Sequence, residues 1–318
     1  MGSKVVCVGA VVADLVALPV TSLPAPGGSA RSPEISLHIG GCAANSATGL
    51  ARLGREVHLC GAVGADPFGH FLAGALKDEG VILDHFQVRD GHRTGSTFVI
   101  NTEGEDRRFI SDTGANDGDW PTQVSESLLE NAAVMSVHAH GLADRPDVAE
   151  LVHWFKKARA GGTRVVLDII RIPGRPLMQE LECLLPHVDL FTPNEQEALA
   201  LTGESDAASA AGQFRQMGAE VVVITRGADG LVWLDEDGAG SLSAPLVQEL
   251  DATGCGDGFI AGCIDAGLDG LSLQEQLIRG SLVGALVSQK PGAIAGLPDR
   301  KALEAMFQKN SDLSSSSS

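Results

Sequence analysis

Tyrosine is absent from this 318-residue chain, and only ten Phe and three Trp provide aromatic side chains. Because 44 % of the residues are apolar, the sequence predicts a sizeable core built mainly from aliphatic side chains and alanine. Basic residues are also few, since 23 Lys and Arg stand against 41 Asp and Glu, a formal net charge of −18. This balance argues against nucleic acid or an anionic membrane surface as the partner, because both select basic faces.

Several kinds of segment are missing as well. No apolar run approaches the roughly 20 residues that span a bilayer, and the start of the chain lacks the cleavage pattern of a signal peptide. The six cysteines form no C-x-x-C pair and none lies at zinc spacing from a histidine, which predicts reduced thiols in a cytoplasmic protein. There is neither a G-x-x-x-x-G-K-[ST] P-loop nor the H-R-D and D-F-G motifs of protein kinases, so a nucleotide would need another arrangement.

What is abundant is glycine, with 39 residues, which fits a chain with many sharp strand-to-helix turns. Short β-branched runs alternate with helical stretches and predict an α/β fold, a mostly parallel sheet with helices on both faces. Strands are predicted at 4–9, 57–63, 134–138, 164–168, 190–192, 221–225 and 231–234, and helices at 43–53, 68–79, 146–159, 195–201, 207–217, 257–267, 272–288 and 299–308.

Two segments interrupt this alternation. Residues 15–39 are rich in Pro, Gly and Ser, and residues 94–111 are typical of a hairpin around a turn at 101–106. We expect both to contribute strands to a small separate sheet over the main one. Residues 1–310 are then a single domain, and the serine-rich tail 311–318 is expected to be disordered.

The segment DATGCGDGFIAG, residues 251–262, is the motif that most strongly indicates a catalytic site. The residues Gly254, Cys255 and Gly256 precede a predicted helix that begins near Asp257. Their N–H groups would lie at the positive end of the helix dipole and form a pocket for negative charge. A carboxylate at that point can accept a proton from an attacking hydroxyl. The same pattern is equally typical of an ordinary turn in which Asp257 is only the helix N-cap.

A second motif follows the strand predicted at 190–192. Asn194 and Glu197 lie three residues apart at a helix start, where their oxygens suit Mg²⁺ or form a capping box.

A third motif follows the strand predicted at 221–225. Thr225, Gly227 and Gly230 form a glycine turn that can approach phosphates or simply connect a hairpin.

A fourth motif lies near the start of the chain. Gly41 and Asn45 stand where a helix begins, and Asp14 follows the first strand. These residues can bind substrate hydroxyls, or they can cap a helix and a turn.

The four motifs, in this order, resemble those of the ribokinase-like (PfkB) family of carbohydrate kinases over almost the whole chain. The two glycines and Asn of Gly40–Asn45 resemble its N-terminal signature, and Asp251–Asp257 resembles its C-terminal D-T-x-G-A-G-D. Gly64-x-Asp66-x-x-Gly69 and Gly114-Ala115-Asn116 are similar to two further family stretches. The resemblance implies a three-layer α/β/α, doubly wound sheet with a small β-sheet lid.

The resemblance also implies roles. Asp257 would be the catalytic base in γ-phosphoryl transfer from ATP to a sugar hydroxyl. An anion hole would be formed by Gly254, Cys255 and Gly256, and a loop at the ATP phosphates by Thr225, Gly227 and Gly230. Mg²⁺ would be held through water by Asn194 and Glu197, and a monovalent cation such as K⁺ would lie near Asp251. The sugar would be contacted by Asp14, Gly41 and Asn45. Many family members also pair through their lids into homodimers.

Three departures from the family pattern bear on function. Cys255 stands where alanine is usual, and Cys42 stands where typical ribokinases have lysine, which disfavours ribose as the substrate. Arg226 is in the phosphate loop, where we expect it to face solvent rather than phosphate. Four further arginines could bind an acidic or phosphorylated substrate, although we expect most of them on a solvated surface. They are Arg107, Arg108, Arg171 and Arg175. Two alternatives stay open: a nucleoside kinase of the same fold, and a catalytically silent binding protein.

Overall fold

The computed structural model describes residues 4–102, 108–117, 124–142, 147–172 and 174–315. The strands are β1 Lys4–Gly9, β2 Val12–Val20, β3 Glu34–Gly40, β4 Glu56–Cys60, β5 Ala62–Gly64, β6 Gln87–Arg89, β7 Gly95–Thr102, β8 Arg108–Asp112, β9 Val134–His140, β10 Arg164–Ile169, β11 Leu190–Phe191, β12 Val222–Thr225, β13 Leu231–Leu234 and β14 Ala239–Leu242. The helices are α1 Cys42–Arg52, α2 Pro67–Asp78, α3 Glu126–Leu129, α4 Val148–Ala160, α5 Leu177–Leu184, α6 Glu195–Thr202, α7 Ala207–Gln216, α8 Cys255–Leu268, α9 Leu273–Val287 and α10 Arg300–Ser315.

The main sheet has eight strands in the order β14-β13-β12-β11-β10-β9-β1-β4. Pairing is parallel from β12 to β4 and antiparallel at β13 and β14. Alternate residues of β1 enter different cores, since Val6 and Val8 pack with α4, α5 and α7, whereas Val5 and Cys7 pack with α1 and α8. The three-layer, doubly wound architecture predicted from the sequence is therefore confirmed.

A separate four-stranded sheet, in the order β3-β2-β7-β8, confirms the predicted second sheet. Two side chains anchor it. Asn116 accepts a hydrogen bond from the Val11 N–H and donates one to the Val11 carbonyl, both at 2.8 Å. Asp66 accepts hydrogen bonds from the N–H of Thr94, at 2.8 Å, and from its hydroxyl, at 2.6 Å. The family-like G-x-D-x-x-G and G-A-N stretches thus hold the small sheet to the main body.

The structure differs from the sequence predictions in several places. Helices α3 and α5 and strand β6 were not predicted. The run 57–63 is two strands in different sheets, broken at Gly61, where a Cβ would lie 2.6 Å from Val11 Cγ2. Strand β14 was not predicted, and α10 continues to Ser315, inside the segment predicted as a disordered tail. The end of that tail (316–318), part of the predicted hairpin turn (103–107) and the predicted helix start at 146 lie outside the described residues.

Helix α8 is buried between α1 and α9. A Cβ on Gly262 would lie 2.8 Å from the Gly280 Cα, so the backbones of α8 and α9 approach closely. The fully buried Asp265 of α8 accepts hydrogen bonds from Arg55 at 2.7 Å and Arg279 at 2.9 Å. This packing holds the C-terminal half of α8 against α9 and against Arg55.

Candidate active site

The predicted site residues converge where the parallel strands end. The carboxyl ends of β1, β9, β10 and β12 meet the N-terminal ends of α1, α6 and α8 at this edge of the sheet. Such an edge is the usual ligand position of an open α/β sheet, because the strands diverge there and helix N-termini face inward.

Asp257 lies in the first turn of α8, and its carboxylate accepts a hydrogen bond from Asn45 Nδ2 at 2.8 Å. Ser46 donates to the Asp257 main-chain carbonyl at 2.9 Å. The interpretation of Asp257 as an N-cap is wrong, since Gly254 occupies that position. Asp257 is also more enclosed than expected of a side chain at an open helix end, with 7 % of its surface exposed. Burial raises its pKa from 3.8 to about 7.

The glycine before α8 is required by its geometry. Gly254 has φ of 77°, and a Cβ there would lie 2.6 Å from the Ala293 carbonyl oxygen. The Cys255 N–H donates to the Ala252 carbonyl at 3.3 Å, whereas the N–H groups of Gly256 and Asp257 fall in a first turn that has no intrahelical acceptors. This helix end is therefore suited to hold an anion.

A cavity of about 260 Å³ adjoins the anion pocket. Thr225, Gly227, Gly230, Cys255 and Gly256 all line it, so the phosphate-loop and anion-hole candidates share one space. Gly230 also has a structural role, because β12 and β13 form a hairpin here and a Cβ would lie 1.9 Å from the Leu242 carbonyl oxygen. The hairpin interpretation is confirmed, and the same loop faces the cavity.

Asn194 and Glu197 form the capping box that the sequence allowed. Asn194 Oδ1 accepts from the Glu197 N–H at 2.9 Å, and Glu197 Oε2 accepts from the Asn194 N–H at 3.1 Å. Glu197 Oε1 accepts from the Arg171 N–H at 3.3 Å. Burial raises the pKa of Glu197. Since these oxygens already accept hydrogen bonds, a cation here is better held through water than by direct ligation.

Asp168, at the carboxyl end of β10, was missed as a site residue by the sequence analysis. Burial raises its pKa well above the ordinary value, and repulsion from Glu197 and Asp257 adds to the shift. Its carboxylate oxygen, an Asp257 oxygen and Cys42 Sγ lie within 4.8 Å of one another. The two carboxylate oxygens are ligands of the kind that Mg²⁺ prefers, whereas the thiol sulfur is not. Asp168 is the last residue of the strand predicted at 164–168, and this position at the end of a parallel strand could have indicated a site residue.

Two of the three predicted substrate residues, Asp14 and Asn45, lie near Asp257. Asp14 is 8 % exposed, and burial, followed by repulsion from Asp257 and Asp251, raises its pKa to about 7. Gly41 precedes α1 with φ of 89°, and a Cβ there would lie 2.5 Å from the Ala10 carbonyl oxygen. Asn45 contacts Asp257 directly, at 2.8 Å, and Gly41 immediately precedes the helix that carries Asn45.

Asp251, the candidate ligand of a monovalent cation, organises the loop before α8. Its Oδ1 accepts from the Thr253 N–H at 2.9 Å, and its Oδ2 accepts from the Gly292 N–H at 2.8 Å. A cation ligated by Asp251 would have to share oxygens that already accept these hydrogen bonds.

Two of the flagged arginines are engaged in ion pairs. Arg226, which was expected to face solvent rather than phosphate, donates to Glu195 at 2.9 Å and is 32 % exposed. Arg175 contacts Glu180 at 3.1 Å with 9 % of its side chain exposed, which corrects its expected place on a solvated surface. Arg108 and Arg171 are exposed, and Arg107 lies outside the described residues.

The sequence model described as pfkB family carbohydrate kinase matches residues 3–300. The chain belongs to this family. The pfkB-family chain is 28 % identical to a ribokinase of Haemophilus influenzae, with 95 % of this chain and 97 % of the relative covered. It is 29 % identical to a fructokinase of Salmonella typhimurium, with 84 % and 91 % covered.

Solved structures agree with the family assignment. The structure of the Arabidopsis thaliana ribokinase complexed with ribose and ATP matches with a TM-score of 0.81 and 26 % identity, covering 96 % of this chain and 99 % of that chain. Within the described part of the chain, no helix is long and apolar enough to cross a membrane.

Proposed function

We propose that this kinase transfers the γ-phosphoryl group of ATP to a hydroxyl of a small, sugar-like substrate, with Asp257 as the base. The observation that carries the proposal is the position of Asp257, beside the anion-binding end of α8 and a cavity lined by the phosphate-loop candidates. A carboxylate with a pKa of about 7 is well matched to accept a hydroxyl proton near neutral pH.

The nucleotide would occupy the cavity between the loop at Thr225–Gly230 and the start of α8. Gly227 suits this role, because a Cβ built there meets no heavy atom within 4 Å, so the backbone is open to a phosphate. The amides of the first turn of α8 would stabilise charge on the transferring phosphoryl group. Asn194 and Glu197 would hold Mg²⁺ through water, and the ion would neutralise phosphate charge.

The sugar would bind around Asp14, Gly41 and Asn45. Asn45 Oδ1 is buried and has no hydrogen-bond partner among the described residues, while its Nδ2 contacts the Asp257 carboxylate. A buried acceptor of this kind is costly unless it is paired, so a substrate hydroxyl can satisfy it. The same hydroxyl would then lie near the base.

Three finer features belong to the proposal. A monovalent cation such as K⁺ near Asp251 predicts faster turnover in K⁺ than in a bulky organic cation.

A homodimer through the small sheet is supported by its exposed apolar side chains, such as Ile35 and Ile110. A cytoplasmic location is supported by the spacing of the six cysteines in the sequence, which form no C-x-x-C pair.

A coupled ADP-release assay over a panel of sugars and nucleosides tests the function, with a reaction lacking acceptor as the control. We expect acceptor-dependent ADP release with a sugar. Release only with adenosine, guanosine or inosine would favour the nucleoside kinase. Tight binding of sugar or ATP without any ADP release would favour a silent binding protein.

A further inference from the structure

We propose that Ser46 is a positioning residue that ties the first turn of α8 to α1, and that His138 holds the Ser46 hydroxyl in the orientation that this contact needs. The inference rests on the proposed role of Asp257 as the base, because Ser46 acts through the main chain of that residue. Neither Ser46 nor His138 lies in the four motifs of the sequence.

Three buried side chains form a chain of hydrogen bonds from the middle of the main sheet to α8. Ser136 Oγ lies 2.8 Å from His138 Nε2, and His138 Nδ1 lies 3.5 Å from Ser46 Oγ. Ser46 in turn donates to the Asp257 carbonyl at 2.9 Å. All three side-chain residues are fully buried. The chain therefore connects β9, α1 and α8 away from bulk solvent.

The number of available hydrogens gives this chain one direction. The Ser46 hydroxyl has a single hydrogen, which it donates to the Asp257 carbonyl, so the hydrogen shared with His138 comes from Nδ1. His138 Nε2 then accepts from the Ser136 hydroxyl. This arrangement needs a neutral imidazole, and burial lowers the pKa of His138 to about 3. His138 is therefore a fixed donor to the Ser46 oxygen.

The Ser46 hydroxyl is used differently from a second hydroxyl on the same helix. Thr48 donates to the Ala44 carbonyl at 2.8 Å, four residues earlier in α1, which is the usual partner of a hydroxyl inside a helix. Ser46 instead donates across to α8. We attribute this difference to His138, because its Nδ1 lies against the Ser46 oxygen.

The strand around His138 is itself closely constrained. A Cβ on Gly9 of the neighbouring strand β1 would lie 2.4 Å from the His138 carbonyl oxygen. The next residue, Ala139, has φ of 56°, in the left-handed region that alanine rarely adopts. The register of β9 with β10 also shifts at this point. Backbone strain of this kind is concentrated at functional sites.

The contact matters because the first turn of α8 carries both the proposed base and the amides of the anion pocket. Asn45 contacts the Asp257 carboxylate, and Ser46 contacts the main chain of the same residue. Without Ser46, the base and the amides would lose a shared point of attachment, and small displacements of reacting groups are costly in rate. The loop at Thr225–Gly230 would keep its own contacts with ATP.

The test compares Ser46→Ala with Thr48→Val, a matched control that removes another buried hydroxyl of α1. Steady-state ADP release is measured with the best acceptor of the panel, at a temperature well below the lowest Tm. We expect Ser46→Ala to lower kcat by about five- to tenfold, as for the loss of one hydrogen bond, with the KM for ATP within about twofold. Thr48→Val should lower Tm similarly and keep kcat within about twofold.

Two amide substitutions separate positioning from packing. The amide of His138→Asn lies near the former Nδ1 and can still donate to Ser46, whereas the amide of His138→Gln lies near the former Nε2 and reaches only Ser136. Both variants leave one partner unpaired, so both should lower Tm. We expect His138→Asn to keep kcat within about threefold and His138→Gln to lose as much as Ser46→Ala.

Two results would overturn the inference: equal kcat in the two His138 variants, or a wild-type kcat in Ser46→Ala. If a His138 variant does not fold, the comparison of Ser46→Ala with Thr48→Val decides alone, and an equal loss of kcat in both would reduce Ser46 to a packing role. Wild-type protein without phosphoryl transfer to any acceptor would instead refute the proposed function itself.

Discussion

At the scale of single residues, the site contains buried carboxylates whose charged forms lower the stability of the folded protein. Asp14 and Asp257 are almost fully buried, and each has a pKa of about 7. A buried carboxylate is disfavoured in its charged form, so each group lowers the stability of the protein at neutral pH. Such a cost is typical of catalytic sites, where function rather than stability selects the side chain.

The pH dependence of stability follows from that shift. Unfolded Asp257 releases its proton near pH 3.8, whereas the folded protein retains it until about pH 7. The unfolded state therefore binds fewer protons between these values, and stability falls as pH rises. Asp257→Asn should be more stable than wild type by more than about 1 kcal/mol at pH 8.

Urea unfolding at pH 4 and pH 8 measures this difference. Near pH 4 the two proteins should have similar free energies of unfolding, because Asp257 is mostly protonated in the folded protein. A difference that is the same at both pH values would contradict the raised pKa.

The sequence analysis found some of these residues and not others, for a physical reason. Asp257 and Asn45 belong to local patterns of glycines before a helix, which can be read from the sequence. Asp168 carries no such local signal, and it lies near Asp257 only because β10 and α8 meet at one sheet edge. Contacts that depend on long-range packing are not encoded in any short segment.

At the scale of elements, the N-terminal end of α8 depends on one glycine. Gly254→Ala would place a Cβ 2.6 Å from the Ala293 carbonyl oxygen and hold alanine in the left-handed region. We expect a loss of at least about 2 kcal/mol in the free energy of unfolding, because left-handed alanine alone costs about 1–2 kcal/mol. Displaced amides should also lower kcat by about a hundredfold.

Gly256→Ala is the matched control for stability. A Cβ at Gly256 meets no heavy atom within 4 Å, so the free energy of unfolding should change by less than about 1 kcal/mol. Equal destabilisation by the two substitutions would show that the αL conformation of Gly254 is not what holds this helix start.

The ion pair between Arg226 and Glu195 links the loop after β12 to the first residue of α6. The Thr225 N–H also donates to the Pro193 carbonyl at 3.1 Å across this junction. Arg226→Ala should raise the KM for ATP about two- to fivefold with kcat nearly unchanged, since a half-exposed pair contributes at most about 1 kcal/mol.

A double-mutant cycle with Glu195→Ala checks the link between these elements. The double variant should be no worse than either single variant, because each removes the same interaction. Effects that multiply would mean that the two side chains act separately.

Most elements were predictable because their periodicity is strong, as in β1, α2 and α7. The run at 57–63 was not, since its seven residues read as one strand although Gly61 passes close to Val11. Strand β14 lacks β-branched residues and is held by pairing with β13, so local propensity gives no signal for it.

At the scale of the whole molecule, the small sheet exposes apolar side chains at both of its edge strands. Ile35 on β3 is 62 % exposed and Ile110 on β8 is 66 % exposed. If the proposed dimer forms through this sheet, Ile110→Lys should convert a dimer to a monomer in light scattering, because a charge is costly in an apolar interface.

Val88→Lys is the control for that experiment. Val88 is 55 % exposed but belongs to the two-stranded sheet of β5 and β6, so its replacement should leave the dimer intact. A strictly monomeric wild-type protein would remove the dimer proposal.

The overall architecture was the most predictable level, because alternating strands and helices leave few ways to cover both faces of a parallel sheet. The pairing of β2 with β7 was less accessible, since these strands are separated by more than 70 residues that include α1 and α2. The sequence analysis predicted that residues 15–39 and 94–111 contribute to a small separate sheet, but it did not predict the strand order β3-β2-β7-β8.

The most direct test of the account is the turnover of Asp257→Asn. With the acceptor identified in the panel, we expect kcat to fall by about 10²–10⁴-fold, because the base is removed while the anion pocket remains. ATP affinity, measured by isothermal titration calorimetry, should stay within about twofold of wild type, since the nucleotide contacts are elsewhere. A variant that turns over at the wild-type rate would contradict the assignment of Asp257 as the catalytic base.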